Sequence, residues 1–178
     1  SGTMRLMASD KTMELLRAEK GDESGRLMTR LLDPIDRINL WLVLRTAWIF
    51  DGGADLERMK SGFVELLEHY PFLSGRMERG RLIELTNEGV PFVVDARPEL
   101  TVAHLCEHRH SAEDFTEPLS IGRMQNGREP VMKVRVTEIS DGWVLGVTCS
   151  HGCLDGVGFY SMVRDWSRLT SGRIFAPP

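Results

Sequence analysis

The residues whose types and spacing could do chemistry lie together late in the chain: Cys149-Ser150-His151-Gly152-Cys153-Leu154-Asp155-Gly156. One imidazole sits between two thiols, and an Asp-Gly pair follows it. A neutral imidazole, with an ordinary pKa of about 6.5, takes a proton from an alcohol or amine near neutral pH, so His151 reads as a general base. Three other readings stand beside it. Extended geometry continued through Cys153 would put Cys149, His151 and Cys153 on one face, a set of soft zinc ligands with no fourth member nearby. Cys149 with His151 would make a thiol nucleophile, although the local sequence supplies no electropositive site of the kind a reactive cysteine needs. The third is a buried core histidine with its hydrogen bonds satisfied. Asp155, beside Gly156 at a helix start, is placed to tie the turn rather than to relay charge to the imidazole.

The elements that must position this stretch flank it. Residues 143–150 read as a strand, and residues 157–170 as a helix. Phe159, Tyr160, Val163, Trp166 and Leu169 take the core-facing spacing of that helix, and Ser171-Gly172 ends it. A residue at a strand end is held by the sheet yet can face a cleft. Upstream, residues 131–139 alternate, with Met132, Val134 and Val136 on one side and Lys133, Arg135 and Thr137 on the other. Ser140-Asp141-Gly142 then makes a hairpin turn back into the strand that carries His151.

Further upstream, residues 38–50 are rich in β-branched and aromatic side chains and predict a strand buried on both faces. Asp55 caps a helix whose Leu56, Met59, Phe63, Leu66, Leu67 and Tyr70 share one face. Pro71 stops it, and His69 in its last turn suits the helix dipole rather than a ligand role. Residues 82–86 and 91–94 read as a pair of short strands joined by Asn87-Glu88-Gly89. Thr101 caps a short helix over residues 101–107, and residues 111–130 read as a long irregular connection. Around Pro34, Asp33 and Asp36 read as turn formation and backbone capping. His104, His108 and His110 cluster beside Cys106, but no second ligand pair follows at zinc-site spacing, so a solvated loop without metal is expected there.

Composition bounds the function classes. The 178 residues are 42% hydrophobic and 27% charged, which suits one globular domain with a real core. A net charge of -4 and a pI near 5.8 argue against nucleic acid or an anionic membrane as partner. No apolar run reaches the roughly 20 residues that span a bilayer. The three cysteines, Cys106, Cys149 and Cys153, are too few for a disulfide framework and point to a reducing, cytoplasmic setting. The pattern predicts an α/β (α+β) fold with a mixed sheet flanked by helices. Residues 1–3 read as a tag remnant, 4–30 as an N-terminal segment with a loop at Gly21-Asp22-Glu23-Ser24-Gly25, 31–172 as the domain, and 173–178 as the start of a linker.

The arrangement His151-x-x-x-Asp155-Gly156, after a hydrophobic strand and before a Trp-containing helix, resembles that of the BAHD acyltransferases. These belong to the chloramphenicol acetyltransferase-like superfamily. Three further segments match in order: Leu32-Asp33-Pro34-Ile35-Asp36-Arg37 ahead of a core strand, Tyr70-Pro71-Phe72-Leu73-Ser74-Gly75-Arg76-Met77, and the strand pair around Asn87-Glu88-Gly89-Val90. The resemblance implies the N-terminal domain of a longer, two-domain enzyme with little activity as an isolated fragment. His151 would be the base, acyl-CoA the co-substrate rather than a bound cofactor, and a small alcohol or amine the acceptor. Asp155 would be structural, salt-bridged to an arginine of the missing C-terminal domain, and Gly156 would allow the tight turn into the helix. Two readings compete: a non-catalytic interaction module of the same fold, and a condensation-domain-like enzyme using carrier-bound acyl groups. Condensation domains carry a second histidine where this chain has Ser150.

Overall fold

The structure, a computed structural model, describes residues 11–19 and 29–173. The loop expected at Gly21-Asp22-Glu23-Ser24-Gly25, the tag remnant at residues 1–3 and the linker residues 174–178 lie outside the described residues. The first strand, β1 (Thr12–Leu16), falls in a segment that the sequence reading left unassigned. β2 (Thr29–Leu31) leads to helix α1 (Pro34–Asn39), then strand β3 (Val43–Asp51) and helix α2 (Leu56–His69). A 3₁₀ turn over Pro71–Ser74 precedes β4 (Arg76–Glu78), β5 (Leu82–Glu84) and β6 (Val90–Arg97). Helix α3 (Val102–Glu107), a 3₁₀ turn over Ala112–Phe115 and helix α4 (Ile121–Gln125) come next. The hairpin β7 (Met132–Ile139) and β8 (Gly142–Ser150) and the last helix, α5 (Gly156–Thr170), complete the described chain.

Five strands form one sheet in the order β1-β6-β7-β8-β3, and β2-β5-β4 form a second, smaller one. The large sheet is mixed: β6 runs parallel to β7, and the other neighbours are antiparallel. The expected class therefore holds. Period-two alternation divides the sheet between two cores. Met132, Val134 and Val136 of β7 and Leu145, Val147 and Cys149 of β8 pack in the cluster that holds Phe63 and Leu66 of α2 and Phe159 and Trp166 of α5. On the opposite face Val144 and Ile139 meet Leu105 of α3 and Phe115. Among the described residues, no helix is long and apolar enough to cross a membrane.

Local chemistry accounts for the helix starts. Thr101 accepts the amide of His104 and Asp55 accepts that of Arg58, as their side chains predicted. The α5 stripe departs from expectation at one position. Met162 is fully buried while Tyr160 is exposed, because Tyr160 stands edge-on to Trp48 at the rim of the core.

Three expectations are corrected. The segment read as one doubly buried strand begins as helix: the Asp33 carboxylate accepts the amides of Ile35 and Asp36, Pro34 sits in the first turn, and α1 runs to Asn39. The strand proper, β3, is an edge strand among the described residues, paired there with β8 alone, and Ile49 and Phe50 remain exposed. The two short strands around Asn87-Glu88-Gly89 do not pair with each other. β5 lies between β2 and β4, whereas β6 crosses to the large sheet between β1 and β7, the chain turning through positive φ at Asn87 and Gly89. The connection over residues 111–130 is not structureless: Ser111 and Asp114 form a reciprocal capping box at its first turn, and α4 follows.

Candidate active site

His151 is the first residue beyond β8. Its amide donates to the Leu42 carbonyl at 2.9 Å, and the preceding Ser150 amide donates to Val131 at 2.9 Å. The chain then folds back at once, with the amides of Cys153 and Leu154 both directed at the Ser150 carbonyl, at 3.0 and 3.4 Å. His151 is thus slung between the segment entering β3 and the one entering β7. Its ring is half-buried, and Nδ1 is buried with no hydrogen-bond partner among the described residues. That leaves Nε2 as the nitrogen able to meet a reacting proton. The hydroxyl of Ser150 is likewise buried and unpartnered.

The geometry separates the readings of the two thiols. Extended structure stops at Ser150, so the alternation that would have aligned Cys149, His151 and Cys153 is broken by the turn. Cys149 is fully buried, and burial, together with the neighbouring Cys153, pushes its thiol well above the ordinary range. A thiol held neutral in the core is no nucleophile. Among the described residues no group of three His, Cys, Asp or Glu side chains is placed to hold a metal ion.

Asp155 is the N-cap of α5, its carboxylate accepting the Gly158 amide at 2.6 Å. It is exposed and makes no ion pair among the described residues. Gly156 departs from expectation. Its φ lies outside the left-handed region and a Cβ built there meets nothing within 4 Å, so the turn into α5 makes no demand for glycine at that position. The demand falls on Gly152 instead, where a Cβ would stand 2.5 Å from the Asp36 carbonyl oxygen and 2.6 Å from a Leu40 methyl.

The sequence reading missed the neighbours supplied by α1. Ile35, Ile38, Trp41 and Leu42 are all exposed apolar residues on or just after this helix, and the Leu42 carbonyl is bonded to His151. Ile35, Ile38 and Leu42 fall at helical spacing, a signal divided between the turn expected around Pro34 and the strand expected over residues 38–50. The other histidines are elsewhere. His104 and His108 stack with centroids 4.3 Å apart and His110 lies 5.5 Å from His104, all exposed on and after α3.

A cavity of about 510 Å³ lies at the other end of the β3–β8 ladder. It is lined by Trp48, Phe50, Trp143, Tyr160, Arg164 and Trp166, among others. Its nearest ladder residues, Trp48 and Leu145, stand five residues from the Val43–Ser150 pair, which puts them about 17 Å along the strands from the histidine end.

With the site located, comparison with known proteins places the chain. The sequence model described as "Transferase family" matches residues 40–177. The chain belongs to that family, the BAHD-type acyltransferases. It is 22% identical over 170 residues to the trichothecene 8-O-acetyltransferase of Fusarium sporotrichioides, covering 82% of this chain and 34% of that protein. It is 26% identical over 133 residues to the BAHD acyltransferase DCR of Arabidopsis thaliana, covering 66% of this chain and 26% of that one. Among solved structures, vinorine synthase superposes with a TM-score of 0.73 at 15% identity over 96% of this chain and 45% of that one. The F. graminearum TRI101 complex with coenzyme A and T-2 mycotoxin gives 0.70 at 16% identity, over 84% and 40%. The fold is therefore the chloramphenicol acetyltransferase-like one of this BAHD family. The chain spans about a third or less of the curated relatives' length and under half of the structural ones.

Proposed function

We propose that this chain supplies the base-bearing half of an acyl-CoA-dependent acyltransferase, with residues 31–172, completed by strand β1 from the preceding segment, as its N-terminal domain. The observation that carries the reading is His151 itself. Its amide and that of Ser150 are bonded to two neighbouring segments, its Nδ1 is buried, and the segment that holds its amide carries the exposed apolar Trp41 and Leu42. In the reaction, Nε2 takes the proton from an acceptor hydroxyl or amine as the heteroatom bonds to the thioester carbonyl carbon. The tetrahedral adduct then collapses, the carbon–sulfur bond breaks, and the proton on His151 passes to the departing CoA thiolate. The acyl group ends on the acceptor, and the imidazole is neutral again. Acyl-CoA enters as co-substrate, with no bound cofactor required. Coenzyme A in the TRI101 structures and the acetyltransferase named among the relatives support this donor.

Asp155 acts in this reading as a structural cap. Its exposed position leaves it free to meet a second domain. Ile38, Trp41 and Leu42 form an apolar margin suited to a small organic acceptor. The test uses the protein encoded by the complete reading frame containing this chain. Thiol release from acetyl-CoA is followed with a panel of alcohols and amines, and the acetylated product is confirmed by mass. Acceptor-dependent thiol release is expected. Absence of transfer to every acceptor, together with capture of acyl groups only from a carrier protein, would replace the reading with the condensation-type one.

A further inference from the structure

We infer that Gly152 is a positioning residue for His151: with no side chain there, the C-terminal end of α1 closes onto the catalytic turn and fixes where the imidazole stands. The inference rests on the reading of His151 as the base and concerns what holds that base in place.

Two contacts join α1 to the turn. One is the His151 amide bonded to the Leu42 carbonyl at 2.9 Å. The other is the bare face of Gly152, against which the Asp36 carbonyl oxygen and the Leu40 side chain pack. A Cβ on residue 152 would stand 2.5 Å from that oxygen and 2.6 and 3.0 Å from two Leu40 carbons. The oxygen is backbone and cannot rotate aside, so α1 or the turn would have to move, by about 1 Å, to restore ordinary packing distances.

Leu40 makes this junction stiff. It is 2% exposed, and one of its methyls faces Gly80, 3.5 Å from where a Cβ would stand, so Leu40 lies between two glycine-bearing turns. The Leu32 amide is bonded to the Arg81 carbonyl, which ties the N-terminal flank of α1 to the turn between β4 and β5, and the Gly80 amide ties that turn to Gln125 of α4. The segment joining α1 to β3 is held in turn by the Leu42 amide on the Asn39 carbonyl. A shift of α1 therefore carries the Leu42 carbonyl with it, and with that carbonyl the backbone of His151. The same shift moves Ile38 and Trp41 relative to the imidazole. A misplacement of about 1 Å between a base and its substrate is enough to lower turnover by about two orders of magnitude.

The experiment compares Gly152→Ala, Leu40→Ala and the double variant in the protein from the complete reading frame. Two readouts are taken. The first is kcat and KM for acetyl-CoA with whichever panel acceptor the unaltered protein uses best. The second is the ¹⁵N ring signals of His151, which need no substrate. Gly152→Ala is expected to lower kcat about 10- to 100-fold with KM for acetyl-CoA within about twofold, and to displace the His151 ring signals. The double variant is expected to lose less than the product of the single losses, because two of the three crowding atoms are gone. Folded Gly152→Ala with unchanged kcat and unchanged ring signals would overturn the inference. So would losses that simply multiply. Should Gly152→Ala fail to fold, Leu40→Ala decides: displaced ring signals with kcat down about threefold or more support the junction, and an unchanged pair refutes it. If the unaltered protein transfers no acetyl group, the base reading fails by itself, and the ring signals alone judge whether Gly152 sets the position of His151.

Discussion

The two ends of the β3–β8 ladder solve different problems with the same backbone. Where Val43 faces Ser150, two polar atoms, the Ser150 hydroxyl and His151 Nδ1, are buried without partners among the described residues, and their backbone is held by bonds to two neighbouring segments. Where Asp51 faces Gly142, aromatic rings gather around the cavity. Phe50 stacks on Trp143 at 4.2 Å, Trp48 lies against Phe159, and Trp166 meets Phe63 at 4.8 Å with its indole N–H donated to Met59. Unmade hydrogen bonds cost stability and aromatic burial supplies it. The aromatic end is thus the anchor that offsets the cost of the buried polar atoms at the histidine end.

If that division is right, the largest effect on folding comes from the aromatic end. Trp166→Ala is expected to cost about 3–5 kcal/mol in denaturant unfolding, since it removes a buried indole at the junction of α2, α5 and the sheet. A loss under about 1 kcal/mol would mean the anchor lies elsewhere. Next comes Tyr70→Phe, which takes the donor from a buried Asp165 oxygen bonded at 2.8 Å and is expected to cost about 1–3 kcal/mol. It also has a pH signature. Burial, followed by the hydrogen bond to Asp165 and its charge, pushes the Tyr70 hydroxyl from 10.0 up to about 12. The folded state keeps that proton longer than the unfolded chain. Its contribution is therefore complete below pH 10 and is lost as the pH rises towards 12. The unaltered protein should lose stability over that window more steeply than Tyr70→Phe, and equal slopes would contradict the shift.

Smaller effects sharpen the histidine end. Asp155→Ala removes the α5 cap and is expected to cost about 0.5–2 kcal/mol in unfolding. Loss of turnover with unchanged stability would instead give Asp155 a role at the reacting atoms. Gly156→Ala, in open space with an ordinary φ, is expected to leave unfolding unchanged or to raise stability by up to about 1 kcal/mol. Destabilisation there would restore the demand for glycine that the sequence motif suggested.

Much of this contrast was legible in the sequence, and what was not has physical reasons. Alternation in residues 131–139, the hairpin turn at Asp141-Gly142 and the apolar faces of α2 and α5 are local signals, and they located β8 and therefore His151. The edge position of β3 is set by which strand finds which partner, which no single segment encodes. Likewise β5 and β6 look like a hairpin locally but are claimed by different sheets. The glycines show the limit most plainly. Gly156 stands out beside Asp155, yet nothing approaches it, whereas the need for Gly152 comes from α1, more than a hundred residues earlier. Close approach between distant segments leaves no mark on local spacing.

One comparison tests the central claim directly: acetyl transfer by His151→Ala and by Trp166→Ala, each normalised to the folded fraction and set beside its unfolding midpoint. The account predicts that His151→Ala keeps its midpoint and loses about 10²- to 10⁴-fold in turnover, while Trp166→Ala loses its midpoint and keeps turnover within about tenfold per folded molecule. Undiminished turnover in folded His151→Ala would contradict it.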